Sequence, residues 1–191
     1  MSKVILDISM SLDGFVRASG YGPEEGLGIG GERLHEWAFG NPELIAKSLE
    51  NAAAIISGRR TYDDSLPWWG LNGPTGDLRL PLFVVTHAPP APVPADSVYR
   101  FVTDGLESAV AQAKAAAPGK DVFVMGGADL AQRMLRAGLI DEIGIHLVPV
   151  LFHDGLRLFE HLGPEHTQLE VVEVLDTPLA THLRYRIASR G

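Results

Sequence analysis

Short, continuous apolar runs that alternate with helical segments constrain the fold of this chain more than any other feature of its sequence. Fully buried strands of a parallel sheet have this character, whereas half-buried strands alternate apolar and polar residues. The apolar runs occupy residues 4–9, 53–57, 81–86, 98–102, 122–125 and 143–151. Since helical patterns separate several of these runs, the sequence predicts a mostly parallel sheet with helices on both faces.

The last part of the chain predicts a different kind of pairing. Residues 168–175 and 180–188 flank a turn and are expected to form an antiparallel pair. Asn41, Thr61 and Asp104 are predicted to cap the helices that follow them. The predicted fold class is therefore α/β, with three α/β/α layers and an antiparallel C-terminal edge. Residues 1–191 are expected to form one domain.

Composition excludes several classes of function. The chain has no cysteine, so it lacks disulfides, cysteine zinc sites and thiol nucleophiles. Its seven histidines are scattered without the spacing of a metal site, and no metal is expected. A net charge of −8 argues against a nucleic-acid partner. The first apolar run is too short for a signal peptide or membrane span, so no membrane partner and a cytoplasmic location are expected.

Residues 17–40 form a long glycine-rich excursion. Gly26, Gly28 and Gly31 match the pattern G-x-G-x-x-G, but no strand precedes them, as the dinucleotide fingerprint requires. We therefore interpret these glycines as a mobile loop over the substrate.

Two strand-to-helix turns have the chemistry of phosphate sites. In the first, Gly58 is followed by Arg59, Arg60 and Thr61, which offer a close backbone approach, positive charge and free N–H groups. A solvated arginine pair beside an ordinary helix start would give the same pattern.

In the second turn, Gly126 and Gly127 end an apolar strand and open a helix at Ala128, Asp129 and Leu130. A tight turn that needs positive φ is the alternative. Ligands of such sheets bind at the carboxyl ends of the strands, so we expect the two turns to lie together and hold one dinucleotide.

Asp13 follows the first strand at the same edge of the sheet. It is predicted to orient a substrate, or to donate a proton if burial raises its pKa; a simple Asp-Gly turn is the alternative. His146 alternates within a strand and is interpreted as structural. Trp37 is either a packing residue or a ligand contact.

Four segments in order, residues 11–15, 58–62, 124–130 and 139–143, resemble the dihydrofolate reductase-like superfamily. The resemblance is strongest to the reductase domain of riboflavin biosynthesis proteins, the RibD C-terminal family. It covers nearly the whole chain.

This resemblance implies NADPH as cofactor. The 58–61 turn, with Thr86 and His87, would hold the adenosine side and its 2′-phosphate, and the 126–130 segment would hold the pyrophosphate. The nicotinamide would face a substrate beside Asp13, Gly14, Phe15 and Trp37. A homodimer is also implied.

The chain departs from its family in two respects. It has neither the cysteines nor the length for the deaminase domain of bifunctional riboflavin enzymes. No acidic residue can be assigned to pterin binding among Glu32, Glu36 and Glu43. The leading hypothesis is an NADPH-dependent reductase acting on a C=N or C=O bond of a small heterocycle. A nucleotide-sensing module and a flavin protein are the alternatives.

Overall fold

The middle layer of the molecule is a mixed β-sheet, seen in a computed structural model that describes residues 2–90 and 95–188. The strands are β1 (Val4–Ser11), β2 (Phe15–Ala18), β3 (Ala52–Gly58), β4 (Leu82–Val85), β5 (Tyr99–Val102), β6 (Asp121–Val124), β7 (Glu142–Val148), β8 (Gly155–Arg157), β9 (Leu169–Asp176) and β10 (Thr181–Ile187). Eight of these described strands form the sheet, in the order β5-β4-β3-β6-β1-β7-β10-β9.

The direction of the strands follows the prediction. From β5 to β7, all neighbours in the sheet are parallel. β10 is antiparallel to both β7 and β9. The predicted antiparallel C-terminal edge is therefore confirmed, and the carboxyl ends of six strands meet at one edge of the sheet.

Helices cover both faces of the sheet. The helices are α1 (Glu36–Gly40), α2 (Pro42–Leu49), α3 (Arg59–Trp69), α4 (Leu106–Ala116) and α5 (Ala128–Arg136). Leu6 of β1 packs with Ala109 of α4 and Met134 of α5. The preceding residue, Ile5, faces the other side and packs with Tyr62 of α3. Successive strand residues thus build two cores, and the three-layer α/β/α architecture is confirmed.

The predicted helix caps are confirmed in part. Asn41 holds the N-cap position of α2, with Pro42 at the helix start, as predicted. Its side chain makes no capping hydrogen bond and instead donates to the Trp37 carbonyl, 2.9 Å away. Thr61 lies inside α3, and α4 begins two residues after Asp104. Glycines hold the N-cap positions of α3 and α4, so turn geometry sets these starts.

The glycine-rich excursion is packed closely against β2, which pairs antiparallel with β8 in a small second sheet. A Cβ on Gly28 would lie 2.3 Å from the Ala18 carbonyl oxygen. The Ala18 amide donates to the Leu27 carbonyl (2.8 Å), and the Ile29 amide donates to Ser19 (3.0 Å). Gly28 thus permits close backbone contact between the excursion and the end of β2, and mobility of the loop stays a prediction.

Part of the predicted proline-rich loop, residues 91–94, lies outside the described residues. None of the helices described has the length and apolar character needed to cross a membrane.

Candidate active site

The turns after β3 and β6 lie side by side at the carboxyl edge of the sheet. These strands are parallel neighbours, and the Met125 amide donates to the Ile56 carbonyl at 3.0 Å. A Cβ on Gly126 would lie 2.6 Å from Cγ2 of Thr61, closer than real Cβ atoms pack. The predicted juxtaposition of the two glycine turns is confirmed, and this contact requires glycine at position 126.

The helices that leave these turns begin without side-chain caps. Gly58 holds the N-cap position of α3, and Gly127 holds that of α5. The first backbone N–H groups of each helix therefore lack a capping acceptor, and the helix dipole adds positive potential. Two such helix starts in contact form a favourable place for an anion.

The Thr61 hydroxyl is buried at this junction without a hydrogen-bond partner in the described part of the chain. Leaving a buried hydroxyl unpaired costs about 1–3 kcal/mol. Its oxygen is 3.3 Å from the position that a Cβ on Gly127 would take. Phosphate oxygens arriving at this turn would satisfy both the hydroxyl and the open amides, so these residues fit the pyrophosphate of a dinucleotide.

Arg59 connects the first turn with the end of β4. Its Nε donates to both carboxylate oxygens of Asp63, at 2.8 and 2.9 Å, and its Nη1 donates to the Ala88 carbonyl at 2.7 Å. The Thr86 hydroxyl donates to that same carbonyl at 2.8 Å. The structure therefore brings Arg59 and Thr86 together, as predicted, and His87 lies exposed beside them.

Arg60 projects away from Arg59. It is exposed and borders a hollow with Asp64 and residues 21–23 of the glycine-rich excursion. The two arginines of the turn thus have different neighbours, and Arg59 is the one that lies beside Thr86.

The first turn of α5 offers its backbone. Ala128 and Leu130 are buried, and Leu130 Cβ lies 3.6 Å from the Cβ positions of Gly58 and Gly127. The Asp129 carboxylate is exposed and pairs with Arg133 at 3.8 Å. The side chains of these three residues pack in the core or face solvent, so only their backbone N–H groups are suited to bind a ligand.

Asp13 is committed to a turn. Its carboxylate accepts hydrogen bonds from the Ser11 hydroxyl (2.6 Å) and from the amides of Phe152 (3.1 Å) and His153 (2.8 Å). Burial alone would raise the pKa of Asp13, but these hydrogen bonds outweigh it and lower the pKa to about 2. The raised pKa required of a proton donor is contradicted, and the Asp-Gly turn alternative fits the structure.

Two other residues predicted to contact substrate are buried. Phe15 is buried beneath the Arg157 guanidinium, 4.3 Å from the ring centroid. Gly14 adopts φ +93°, and a Cβ there would lie 3.7 Å from Arg157 Nη1. Trp37 is buried, and its Nε1 donates to the Ser9 hydroxyl at 2.9 Å. Burial leaves Phe15 and Trp37 without a surface for the substrate contact predicted for them.

Sequence reasoning missed a polar cluster beneath Trp37. The Asp7 carboxylate lies 3.1 Å from His146 Nε2, and His146 Nδ1 lies 2.8 Å from His182 Nδ1. The Trp37 ring centroid lies 4.0 Å from that of His146. One signal was available in the sequence, because Asp7 places a charge within an otherwise apolar buried strand.

A cleft of about 240 Å³ opens beside this cluster, between α2 and the sheet. Asp7, His146 and His182 line it, with Lys47 of α2 and Glu173 of β9. The volume lies just below the range of about 300–1,000 Å³ usual for drug-sized ligands, so the cleft suits a heterocycle of one or two rings.

The glutamates considered for pterin binding lie elsewhere. Glu32, Glu36 and Glu43 are exposed and are not among the residues that line the cleft. The carboxylates that line the cleft are those of Asp7, Asp121 and Glu173.

Comparison with known proteins agrees with this architecture. Residues 2–183 match the family model of the RibD C-terminal domain. The uncharacterized protein YyaP of Bacillus subtilis (strain 168) is 28% identical over 167 residues, covering 82% of this chain and 80% of YyaP. A Shewanella sp. PV-4 structure described as a candidate riboflavin biosynthesis protein superposes with a TM-score of 0.73 at 21% identity, covering 97% of this chain and 99% of that one.

A two-domain protein shares the fold as well. The diaminohydroxyphosphoribosylaminopyrimidine deaminase/5-amino-6-(5-phosphoribosylamino)uracil reductase of Thermotoga maritima has a TM-score of 0.65 at 14% identity, covering 98% of this chain but 57% of that protein. The family model spans nearly the entire sequence, and the sheet order and layers agree with it. This chain therefore belongs to the RibD C-terminal domain family and has the dihydrofolate reductase-like fold.

Proposed function

We propose that this protein is an NADPH-dependent reductase that transfers hydride to a C=N or C=O bond of a small pyrimidine- or pterin-like heterocycle. The observation that supports it most directly is the junction at Thr61, where two uncapped helix starts meet above an unpartnered buried hydroxyl. Reductase activity in the Thermotoga maritima protein of the same fold is consistent with this proposal.

The residues of the junction would divide the cofactor between them. The amides after Gly126 and Gly127, with the Thr61 hydroxyl, would bind the pyrophosphate. Arg59 and Thr86 would bind the 2′-phosphate at the end of β4. NADPH, when bound, supplies the hydride, and the protein contributes position and electrostatics.

Arg59 is held ready for this role. Asp63 and the Ala88 carbonyl fix its guanidinium beside the end of β4 while leaving the side chain about one-third exposed. A guanidinium held in place loses little freedom when it binds a phosphate, which favours affinity.

Replacement of Arg59 tests this assignment. We expect Arg59→Ala to weaken NADPH binding about 10- to 100-fold, because a charge-assisted hydrogen bond contributes about 1.5–3 kcal/mol. NADH lacks the 2′-phosphate, so its affinity should change much less. Fluorescence titration with both nucleotides measures the difference.

Arg79→Ala is the matched control for this experiment. Arg79 is a similarly exposed arginine that pairs with Asp96 at 3.3 Å, away from both glycine turns. Its replacement should leave both affinities unchanged. Equal NADPH affinity in Arg59→Ala and wild type would refute the phosphate site.

The same preparations separate the other functions considered. Yellow purified protein with bound FMN would favour a flavin oxidoreductase. Tight NADPH binding without oxidation on any pterin, pyrimidine or quinone acceptor would favour a sensing module.

A further inference from the structure

A continuous line of hydrogen bonds crosses three strands beside the cleft. His146 Nε2 faces Asp7 Oδ1 at 3.1 Å, and the two Nδ1 atoms of His146 and His182 lie 2.8 Å apart. His182 Nε2 lies 3.2 Å from the Thr177 hydroxyl, which donates to the Ala180 carbonyl at 2.7 Å. Both nitrogens of both imidazoles are therefore engaged.

The number of protons in this line can be counted. Thr177 uses its proton on the Ala180 carbonyl, because a carbonyl cannot donate. The three remaining links, from Asp7 to Thr177, each need a proton on His146 or His182. Two neutral imidazoles carry only two N–H protons. All three hydrogen bonds can form when His146 and His182 together hold one extra proton, and the Asp7 carboxylate balances its positive charge.

The surroundings favour one extra proton over two. Burial lowers the pKa of His182, and the neighbouring His146 lowers it further, against the opposite effects of Asp7 and Asp176. Burial and His146 also lower the pKa of His35. The other charged groups that face the cleft from the packed elements are Lys47 on α2, Asp121 on β6, Glu173 on β9 and Arg184 on β10.

The cluster is accessible to a small ligand from one side. Side chains of Asp7 and His146 are 12% and 15% exposed, and both line the cleft. Trp37 covers the rings of His146 and His182 on the other side, at centroid distances of 4.0 and 4.7 Å. A proton held here is thus shielded from bulk water yet open to the cleft.

The cluster also lies close to the glycine turns. Leu6 pairs with Val124 across β1 and β6, which places Asp7 level with Met125, the residue before Gly126. The cleft is lined by Phe123 of β6, three residues before Gly126, so a substrate there would lie beside the strand that leads into the turn assigned above to the cofactor.

We propose that this line of residues delivers the proton of the reduction through the Asp7 carboxyl, which lines the cleft, and that His146 and His182 supply that proton to Asp7. This inference rests on the proposed function. NADPH, when bound, would supply hydride to the carbon of the C=N or C=O bond. The nitrogen or oxygen that gains the π electron pair would take a proton from the Asp7 carboxyl. Asp7 would in turn take the shared proton from His146 Nε2, as the N–H electron pair returns to the imidazole ring. A proton from solvent then restores the histidine pair.

The first experiment measures the shared proton without any cofactor. Two-bond ¹H–¹⁵N spectra of the ligand-free protein, recorded against pH, should show His146 and His182 taking up one proton jointly. Asp7→Asn should move the His182 midpoint to lower pH, because the charge of Asp7 raises the pKa of His182. Asp104→Asn, at an exposed carboxylate, is the control and should leave it unchanged. Two independent, separate titrations would overturn the shared proton.

The second experiment measures delivery of the proton. Gln keeps a hydrogen-bonding side chain but cannot carry the proton, so His146→Gln should lower kcat about 10²- to 10⁴-fold and remove the fall in rate with rising pH that loss of the donated proton causes. NADPH affinity and the thermal unfolding midpoint should stay close to wild type. His166→Gln, at an exposed histidine, should behave as wild type.

The outcomes distinguish the two proposals. Wild type that neither binds NADPH nor oxidises it with dihydrofolate, a dihydropterin or an aminopyrimidine imine overturns the proposed function. Wild type that oxidises NADPH while His146→Gln keeps its rate and pH profile overturns proton delivery alone.

Discussion

The carboxylate of Asp13 accepts hydrogen bonds from the backbone amides of Phe152 and His153, which lie 139 and 140 positions further along the chain. The sequence around Asp13 contains no sign of those partners. The position of Asp13 after β1 could be predicted from the sequence. Its protonation state could not, because it depends on groups that only the folded chain brings near. The same holds for Asp7, because the role proposed for it depends on His146 and His182, which are distant from it in the sequence.

Asp13 should make stability depend on pH. Its folded pKa of about 2 lies below its ordinary value of 3.8, so its contribution is present above pH about 4 and is lost as pH falls toward about 2. We expect Asp13→Asn to be less stable than wild type at pH 7, with the difference narrowing below pH 4. Urea unfolding between pH 7 and pH 3 measures this. A difference that does not vary with pH would argue against it, and Asp104→Asn provides the reference.

Gly126 should tolerate no side chain. Its φ of +90° is unfavourable for other residues, and a Cβ would lie 2.6 Å from Thr61 Cγ2. We expect Gly126→Ala to lower the free energy of unfolding by about 2–4 kcal/mol, from backbone strain and overpacking together, and to weaken NADPH binding. Urea unfolding and nucleotide titration measure the two effects.

Gly119→Ala separates strain from overpacking. Gly119 has φ +88°, but no atom lies within 4 Å of its Cβ position, so only the strain should remain. Thr61→Ser combined with Gly126→Ala removes the clashing methyl group and should recover part of the loss. No recovery in the double variant would mean that Thr61 is not the obstacle.

Secondary-structure elements were predictable to the extent that their residues carry a pattern. Continuous apolar runs identified the sheet strands, and the parallel order of β3 and β6 placed the two glycine turns together. β2 and β8 were missed because they span four and three residues and owe their pairing to close backbone contact near Gly28 and Gly155. The caps of α3 and α4 were mispredicted because glycine turns begin these two helices.

A buried ion pair joins β2 to α3. Arg17 pairs with Asp64, and both side chains are 7% exposed. We expect Asp64→Asn to lower the free energy of unfolding by about 3–5 kcal/mol, because it leaves the Arg17 charge buried and unpaired. Arg17→Met with Asp64→Leu should recover much of that loss. Urea unfolding measures both, and equal destabilisation by the single and double variants would contradict this account.

The outer edge of the sheet leaves an apolar surface uncovered. On one face of β9 and β10, Leu169, Val171 and Val174 are 44%, 67% and 58% exposed, beside the partly buried Leu183 and Tyr185. An exposed edge strand with apolar side chains is prone to pair with another chain. We propose that a second copy of this protein covers it, as the family resemblance implies.

Charge on this surface should prevent association. We expect wild type to sediment as a dimer and Val171→Lys with Val174→Lys to sediment as a monomer, because burying two ammonium groups is unfavourable. Leu78→Lys, at a residue 58% exposed in the short 3-10 helix Gly73–Leu78 before β4, is the control. A wild type that stays monomeric at micromolar concentration in analytical ultracentrifugation would refute this prediction.

Trp37 rests against the imidazoles of His146 and His182 and hydrogen-bonds to Ser9. The fluorescence of an indole is quenched when the ring stacked on it gains positive charge, because the cation withdraws electron density from the excited indole. The protein thus contains its own optical indicator: its ultraviolet emission should dim as acid charges the neighbouring rings and brighten as they discharge.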